Sequence, residues 1–216
     1  MLEYIFDGGF LMYPITLMSV VGLAVMIDRY CAFRDAKRDT AELRAKVMEC
    51  LGENRIEDAI EACSECGGPV AAVLLVGLTK FKKLQGTGRT PTEMAENVSK
   101  SMDEYAPHAI GVLERNIGAL PIVASLSPLL GMTGTVTGMI SSFNAMASAT
   151  NLEASTVSAG ISEALITTAG GLLVAMPSVI AYNIFSKMVD NHVTDIESSA
   201  TELSDFIMLD YVPPQD

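Results

Sequence analysis

Residues Ser125–Phe143 read SLSPLLGMTGTVTGMISSF, and this stretch decides the fold. It lies in a segment without charged residues that extends from Asn116 to Leu152. As one helix, that segment would span about 55 Å, whereas the hydrocarbon core of a bilayer is about 30 Å thick. The stretch therefore predicts a membrane-spanning helix that continues beyond the bilayer.

Small and hydroxyl-bearing side chains recur along this segment at steps of three or four residues, which places them on a single helix face. They are Ala124, Ser127, Gly131, Thr135, Gly138, Ser142, Ala145 and Ala149. Such a face in hydrocarbon suits either close helix packing or the lining of a polar lumen, and the spacing alone favours neither.

The charges are unevenly distributed along the chain. Of the 14 Lys and Arg residues, all but Lys187 lie between Arg29 and Arg115. Charged residues make up only 19 % of the chain, against roughly a quarter in soluble domains. The net charge of −12 argues against a nucleic-acid partner, because phosphate binding requires a basic surface. We therefore expect a membrane protein with one polar domain.

Three segments are apolar and long enough to span a bilayer, and the basic residues that follow the first one indicate that it ends in the cytoplasm. The predicted organisation is a periplasmic, interfacial segment at 1–9, spans at 10–28, 116–149 and 155–187, a cytoplasmic helical domain at 29–115, a periplasmic loop at 150–154 and an acidic cytoplasmic tail at 188–216. Gly8-Gly9 is interpreted as a flexible joint before the first span. The N-terminus is thus expected outside and the C-terminus inside.

The polar region is predicted to be helical throughout. Its amphipathic patterns indicate helices at Thr40–Gly52, Arg55–Cys66 and Pro69–Leu84, the last with an apolar run too short to span a membrane. A fourth helix is expected to start at the capping-box sequence Thr90-Pro91-Thr92-Glu93 and to run toward the membrane, with kinks at Pro107 and Pro121. The fold class is all-α, a polytopic membrane protein whose second and third spans are long and extend into the cytoplasmic domain.

Few residues outside the spans suggest chemistry. Cys63 and Cys66 form a CxxC, but without a second pair or a nearby His the signal for zinc or redox chemistry is weak. His108 and His192 are isolated and give no metal constellation, and the polar region has no glycine-rich phosphate loop and no nucleophile–base constellation. We therefore predict no metal site, no cofactor and no enzyme. The acidic residues of the tail are expected to be solvated.

Glu163 is the only acidic residue of the third span. A carboxylate at membrane depth costs ~2.5–3.5 kcal/mol on insertion scales and is by default a functional candidate. The alternative is that Glu163, about nine residues after Ala154, lies near the outer boundary and reaches water. Thr167 follows one turn later on the same face. A second stripe of small side chains starts beside it and consists of Ala164, Thr168, Gly171, Ala175 and Ser178.

These runs resemble the MotA/TolQ/ExbB proton-channel family, and most closely its ExbB/TolQ branch. The matching residues are PLLG at 128–131, GTVTGM at 134–139, GISEAL at 160–165, TAGGL at 168–172, Pro177, Tyr182-Asn183, MYPI at 12–15 and Asp28-Arg29. Met132-Thr133 departs from the leucine-rich pair usual in the family. Three spans rather than four favour this branch over the flagellar stators.

The resemblance implies a homopentamer in the bacterial cytoplasmic (inner) membrane, surrounding a single-span ExbD/TolR-like subunit that carries the proton-accepting Asp. A TonB/TolA-like transducer is a further implied partner. By the same analogy Thr135, Thr168 and Glu163 form the ion pathway. Residues assigned to pore lining or helix packing are Ser127, Gly131, Gly138, Ser142, Ala164, Thr167, Gly171 and Ala175.

Alternative functions stay open at this point. The chain would be a non-conducting oligomeric scaffold if the stripes serve packing alone, or a flagellar-stator-like ion channel. A self-sufficient transporter is disfavoured because no inverted repeat is visible. These residues do not decide whether protons or sodium ions flow. They also do not distinguish an ExbB-type role from a TolQ-type role.

Overall fold

The computed structural model describes residues 8–36, 40–86, 88–148 and 154–211. Most of the predicted N-terminal interfacial segment, and all of the predicted 150–154 loop but its last residue, lie outside these ranges. The helices are α1 (Met12–Ala36), α2 (Thr40–Gly52), α3 (Ile56–Cys66), α4 (Gly68–Leu84), α5 (Pro91–Glu114), α6 (Ala119–Ser148) and α7 (Ala154–Leu209). The described residues form no strand, so the predicted all-α fold is confirmed.

Within the residues that the structure describes, three helical stretches are long and apolar enough to cross a membrane: Met12–Arg34, Pro91–Ala147 and Ser158–Leu209. The second includes the turn between α5 and α6. The chain divides into two compact units. We call residues 1–29 with 116–185 the apolar unit, and residues 30–115 with 186–216 the polar unit.

The start of α5 is fixed by the predicted capping box. The Glu93 backbone N–H donates to Thr90 Oγ1 at 3.3 Å, and the Thr90 N–H donates to the Glu93 carboxylate at 3.2 Å. Pro91 occupies the first turn, where its missing N–H costs nothing. The predicted capping box is therefore confirmed. It was predictable because residues within this short segment satisfy the free backbone N–H groups of the helix start.

The end of α5 differs from the expectation of a kinked but continuous helix. The helix passes through Pro107 and ends at Glu114, and residues 115–118 form a turn. Asn116 adopts a φ of 62°, a left-handed conformation that Asn tolerates better than most residues. Pro121 consequently lies in the first turn of α6 and introduces no kink.

The core of the polar unit lies between α4 and α5 and is completed by the end of α7. Phe81 and Leu78 of α4 and Met102 of α5 are fully buried. A Cβ added at Gly77 would lie 2.5 Å from Met102 Sδ and 2.9 Å from Leu203 Cδ2, so three helices meet at this glycine. The apolar run of α4 is therefore buried, as its length predicted.

The last part of α7 has two different faces. Its acidic side chains are mostly exposed, and Glu202 forms an ion pair with Arg44 of α2. The opposite face carries Ile196, Leu203 and Ile207, which are at most 2 % exposed and belong to the core. The sequence interpretation noted the charges of this segment and missed its apolar face.

Truncation of Leu203 tests the role of this face. Because Leu203 is fully buried, Leu203→Ala should lower the free energy of unfolding by about 2–5 kcal/mol. Thermal unfolding in detergent, followed by circular dichroism, measures the loss. Leu209→Ala is the matched control, because Leu209 is 76 % exposed and its truncation should change little. Equal melting temperatures for the two variants would contradict a packed end of α7.

Candidate functional site

The backbones of α6 and α7 approach each other closely because the residues between them lack bulky side chains. A Cβ at Gly131 would lie 2.9 Å from Thr168 Cα, and one at Gly171 would overlap the Ser127 carbonyl oxygen. A Cβ at Gly138 would lie 2.8 Å from the Ala164 Cβ. No side chain fits at these glycines without displacement, so the two small-residue stripes face each other in an antiparallel hairpin.

The buried face of α6 is centred slightly differently from the stripe read in the sequence. Its buried members between residues 124 and 147 are Ser127, Gly131, Gly134, Gly138 and Ser142. Thr135 lies at the edge of this face and is half-buried. Gly134 takes the central position, where a Cβ would lie 2.6 Å from Thr167 Cγ2. This face therefore packs within the chain itself.

The threonines of the predicted ion pathway bond to backbone carbonyl groups. Thr168 Oγ1 donates to the Gly131 carbonyl across the hairpin at 2.8 Å. Thr135 Oγ1 donates to the Met132 carbonyl in its own helix at 2.7 Å. Since Thr168 lies opposite Gly131, it is about one helical turn away from Thr135 along the hairpin. Ser127 Oγ is fully buried and has no hydrogen-bond partner among the described residues.

A second face of α7 packs against α1. A Cβ at Gly170 would lie 2.9 Å from Met12 Cε, and one at Gly22 would lie 3.4 Å from Ser178 Oγ. Thr167 and Ala175 are buried as well, with 1 % and 7 % of their surface exposed. Helix α7 thus contacts both other helices of the apolar unit.

Glu163 has an exposed side chain and lines a half-open cavity of about 440 Å³ between α6 and α7, whose wall is part polar and part apolar. The lining residues are Ser141, Ser142, Ala145, Ala159, Gly160, Ser162, Glu163 and Ile166. Glu163 is the one ionisable residue among them. Hydroxyl groups and a carboxylate around a cavity of this size offer hydrogen-bond partners for water or for a cationic group.

The segment before α1 contacts the same carboxylate. Thr167 Oγ1 lies 2.7 Å from the Gly8 carbonyl oxygen and 2.8 Å from the Glu163 carbonyl oxygen, so its one proton is shared between two acceptors. The Glu163 side chain lies against Gly9. The sequence interpretation treated Gly8-Gly9 only as a flexible joint, and no local pattern reveals a contact with a residue more than 150 positions away.

No metal centre is found in the part of the chain that the structure describes, where no three His, Cys, Asp or Glu residues group together. The four cysteines are free thiols. Burial, assisted by the neighbouring Cys66 and Cys50, raises the pKa of Cys63 to about 12. Such a thiol is almost entirely protonated at neutral pH and is a poor nucleophile.

The described features define an all-α protein with three helices able to cross a membrane and a glycine-packed hairpin beside a polar cavity. The sequence matches the MotA/TolQ/ExbB proton channel family over residues 68–198, and the chain belongs to this family. The resemblance inferred from the sequence motifs is confirmed.

Individual relatives support the ExbB/TolQ branch. The chain is 30 % identical to the Tol-Pal system protein TolQ of Pseudomonas aeruginosa over 81 % of its own length and 76 % of that protein. It is 28 % identical to the TolQ protein of Haemophilus influenzae over 80 % of its own length and 76 % of that protein. Identity to the biopolymer transport protein ExbB of Pseudomonas putida is 23 %, over 89 % of this chain but only 57 % of the relative.

The protonated state of Cys63 predicts slow alkylation. At neutral pH, a pKa of about 12 leaves roughly a thousandfold less thiolate than an ordinary cysteine has. Iodoacetamide should therefore modify the exposed Cys31 while Cys63 stays unmodified until the protein is denatured, as peptide mass spectrometry would show. Equal rates for the two thiols in the native protein would contradict the burial of Cys63.

A methyl group at the hairpin contact should be destabilising. In Gly138→Ala the new Cβ would lie 2.8 Å from the Ala164 Cβ, an overpacking that costs about 1–3 kcal/mol. Thermal unfolding in detergent measures this loss. Gly111→Ala is the matched control, because Gly111 is helical and has no neighbouring atom within 4 Å of the added Cβ. An unchanged melting temperature for Gly138→Ala would show that the hairpin backbones are farther apart.

Proposed function

We propose that this chain is the proton-channel subunit of an inner-membrane motor driven by the proton motive force. With an ExbD/TolR-like partner it would energise envelope or outer-membrane transport. The observation that carries the proposal is the position of Glu163, which lines a hydroxyl-rich cavity between two tightly packed helices. Family membership, and relatives named as Tol-Pal and biopolymer transport proteins, support it.

In this proposal the three sequence-predicted residues have separate roles. Glu163 sets the electrostatic potential of the polar cavity. Thr168 holds α7 against the Gly131 carbonyl and presents its hydroxyl beside the path, while the half-buried Thr135 lines the path one turn farther along α6. The titrating Asp belongs to the partner. We assign the proton, rather than sodium, as the transported ion because the matching family is described as a proton channel family.

Assembly is proposed from the surface that the hairpin leaves uncovered. The side of α6 away from its buried face carries large exposed apolar residues, namely Leu126, Leu129, Met132, Val136, Met139, Ile140 and Phe143. Lipid and neighbouring copies of the chain would cover this surface in a homopentamer, with the N-terminus outside and the C-terminus in the cytoplasm. A TonB/TolA-like protein would receive the motion.

A non-conducting scaffold is the second candidate, and two observations favour it. Most small residues of the stripe are used for packing within the chain, and the threonine hydroxyl groups bond to backbone carbonyl groups. Both features stabilise a hairpin without requiring a path for ions. The two functions predict different effects on proton flux when the Glu163 carboxylate is removed.

Proton flux through the reconstituted complex separates the two candidates. The chain would be co-purified with its single-span partner, and flux would be followed with a pH-sensitive dye in proteoliposomes. We expect Glu163→Gln and Thr168→Val to reduce flux about tenfold or more, since both change groups that stabilise a moving positive charge. Size-exclusion chromatography would show whether the assembly is retained.

Thr133→Val is the matched control, because Thr133 is exposed and its hydroxyl bonds to the Leu129 carbonyl in its own helix. It should conduct like the unmodified chain. Absence of flux in the unmodified complex would favour the scaffold. Flux that is unchanged in both Glu163→Gln and Thr168→Val would also favour it, because the ions would then not pass along this hairpin.

A further inference from the structure

Gly9 lies under the side chain of Glu163. Its φ is +66°, a left-handed conformation in which glycine is favoured. A Cβ added at Gly9 would overlap Oε1 of Glu163 and would stand 2.8 Å from Cδ and 3.3 Å from Cγ. Oε1 thus occupies the place of the missing side chain, so residue 9 restricts the carboxylate by steric contact.

The turn that contains Gly9 is anchored at two points. The carbonyl oxygen of Gly8 accepts the hydrogen bond from Thr167 Oγ1 at 2.7 Å, and Thr167 is only 1 % exposed. The carbonyl oxygen of Gly9 accepts from the Met12 N–H at 3.2 Å, where α1 begins. The Gly8-Gly9 turn is therefore attached to α7 on one side and to the first turn of α1 on the other.

The opposite side of Glu163 faces the polar cavity. Ser141, Ser142 and Ala145 of α6 contribute to its wall, and the described wall residues supply no second ionisable group. The carboxylate thus lies between a glycine turn and a cavity. Since the turn is anchored, a displacement caused by a side chain at residue 9 would be taken up by the flexible Glu163 side chain.

We propose that Gly9 is a positioning residue for Glu163, because the Gly8-Gly9 turn docks on α7 and fixes where the carboxylate enters the cavity. The effect of this positioning on ion movement rests on the proposed channel function. The steric relation between Gly9 and the carboxylate does not depend on that function, so the two are tested by separate readouts.

The first readout is the labelling of Glu163 by a hydrophobic carbodiimide, which adds to a protonated carboxyl group and stays attached as an N-acylurea. Peptide mass spectrometry of the full-length protein in detergent gives the rate. We expect Gly9→Ala and Gly9→Asn to change the rate several-fold, because either Cβ displaces the carboxylate. Gly88→Ala is the control, since Gly88 has a φ of +68° and no atom within 4 Å of an added Cβ.

Gly9→Asn separates the steric effect from backbone strain. Asn tolerates a positive φ far better than Ala, so strain alone would leave Gly9→Asn close to the unmodified protein. A steric effect on Glu163 would alter both variants. Normal labelling of Gly9→Asn, with altered labelling of Gly9→Ala, would therefore overturn the proposal.

A shorter acid provides the compensation test. Glu163→Asp withdraws the carboxylate by one methylene group and leaves room for a Cβ at residue 9. In the Glu163→Asp background, adding Gly9→Ala should change the labelling of the shortened acid far less than Gly9→Ala changes the labelling of Glu163. Equal effects in the two backgrounds would mean that Gly9 acts elsewhere, and would overturn the proposal.

The second readout is proton flux in the reconstituted complex with the partner. Gly9→Ala should reduce flux about tenfold or more, because a misplacement of an active group by about 1 Å can cost up to about a hundredfold in rate. If labelling changes as expected while Glu163→Gln conducts normally, the positioning stands and the channel role of Glu163 fails. If labelling does not change, the positioning fails whatever the flux shows.

Discussion

The apolar unit depends on the contact between the backbones of α6 and α7. In hydrocarbon there is little hydrophobic gain from bringing two helices together, so association relies on dispersion contacts and on hydrogen bonds between the helices. Gly131, Gly138 and Gly171 remove the side chains that would hold the helices apart, and the hydrogen bond from Thr168 to the Gly131 carbonyl crosses the contact. Backbone atoms of the two helices can then approach to about 3.5–4.0 Å, the separation at which dispersion attraction is most favourable.

The same close approach explains where polar groups are found. Next to the glycine contact the helices leave a cavity lined by serines and by Glu163. A carboxylate in hydrocarbon is costly, and hydroxyl groups with space for water reduce that cost. Close helix packing and the polar cavity are therefore two consequences of one sequence pattern. This explains why the spacing of the small residues alone could not decide between helix packing and the lining of a polar lumen.

Much of the fold was predictable because its signals are local. The length of the uncharged segments predicted the long apolar helices, and Thr90 with Glu93 predicted the start of α5. The centre of the buried α6 face was not predictable to the residue: Gly134 and Thr135 differ by about 100° around the helix, and only the partner helix decides between them. The apolar face of the last α7 turns was hidden by the acidic residues around it.

The least predictable part of the candidate site is the glycine turn before α1. Gly8 and Thr167 are 159 positions apart, and two adjacent glycines indicate flexibility when they are read alone.

The interlocked hairpin also limits how the apolar unit can move. Gly131, Gly138 and Gly171 each fit against particular backbone atoms of the other helix, so the helices cannot slide past each other by a fraction of a repeat. The next matching arrangement is about one turn away, a shift of about 5.4 Å that would break every contact at once. Thermal motion of α6 and α7 should consequently preserve their register, and the pair should tilt or rotate as one body.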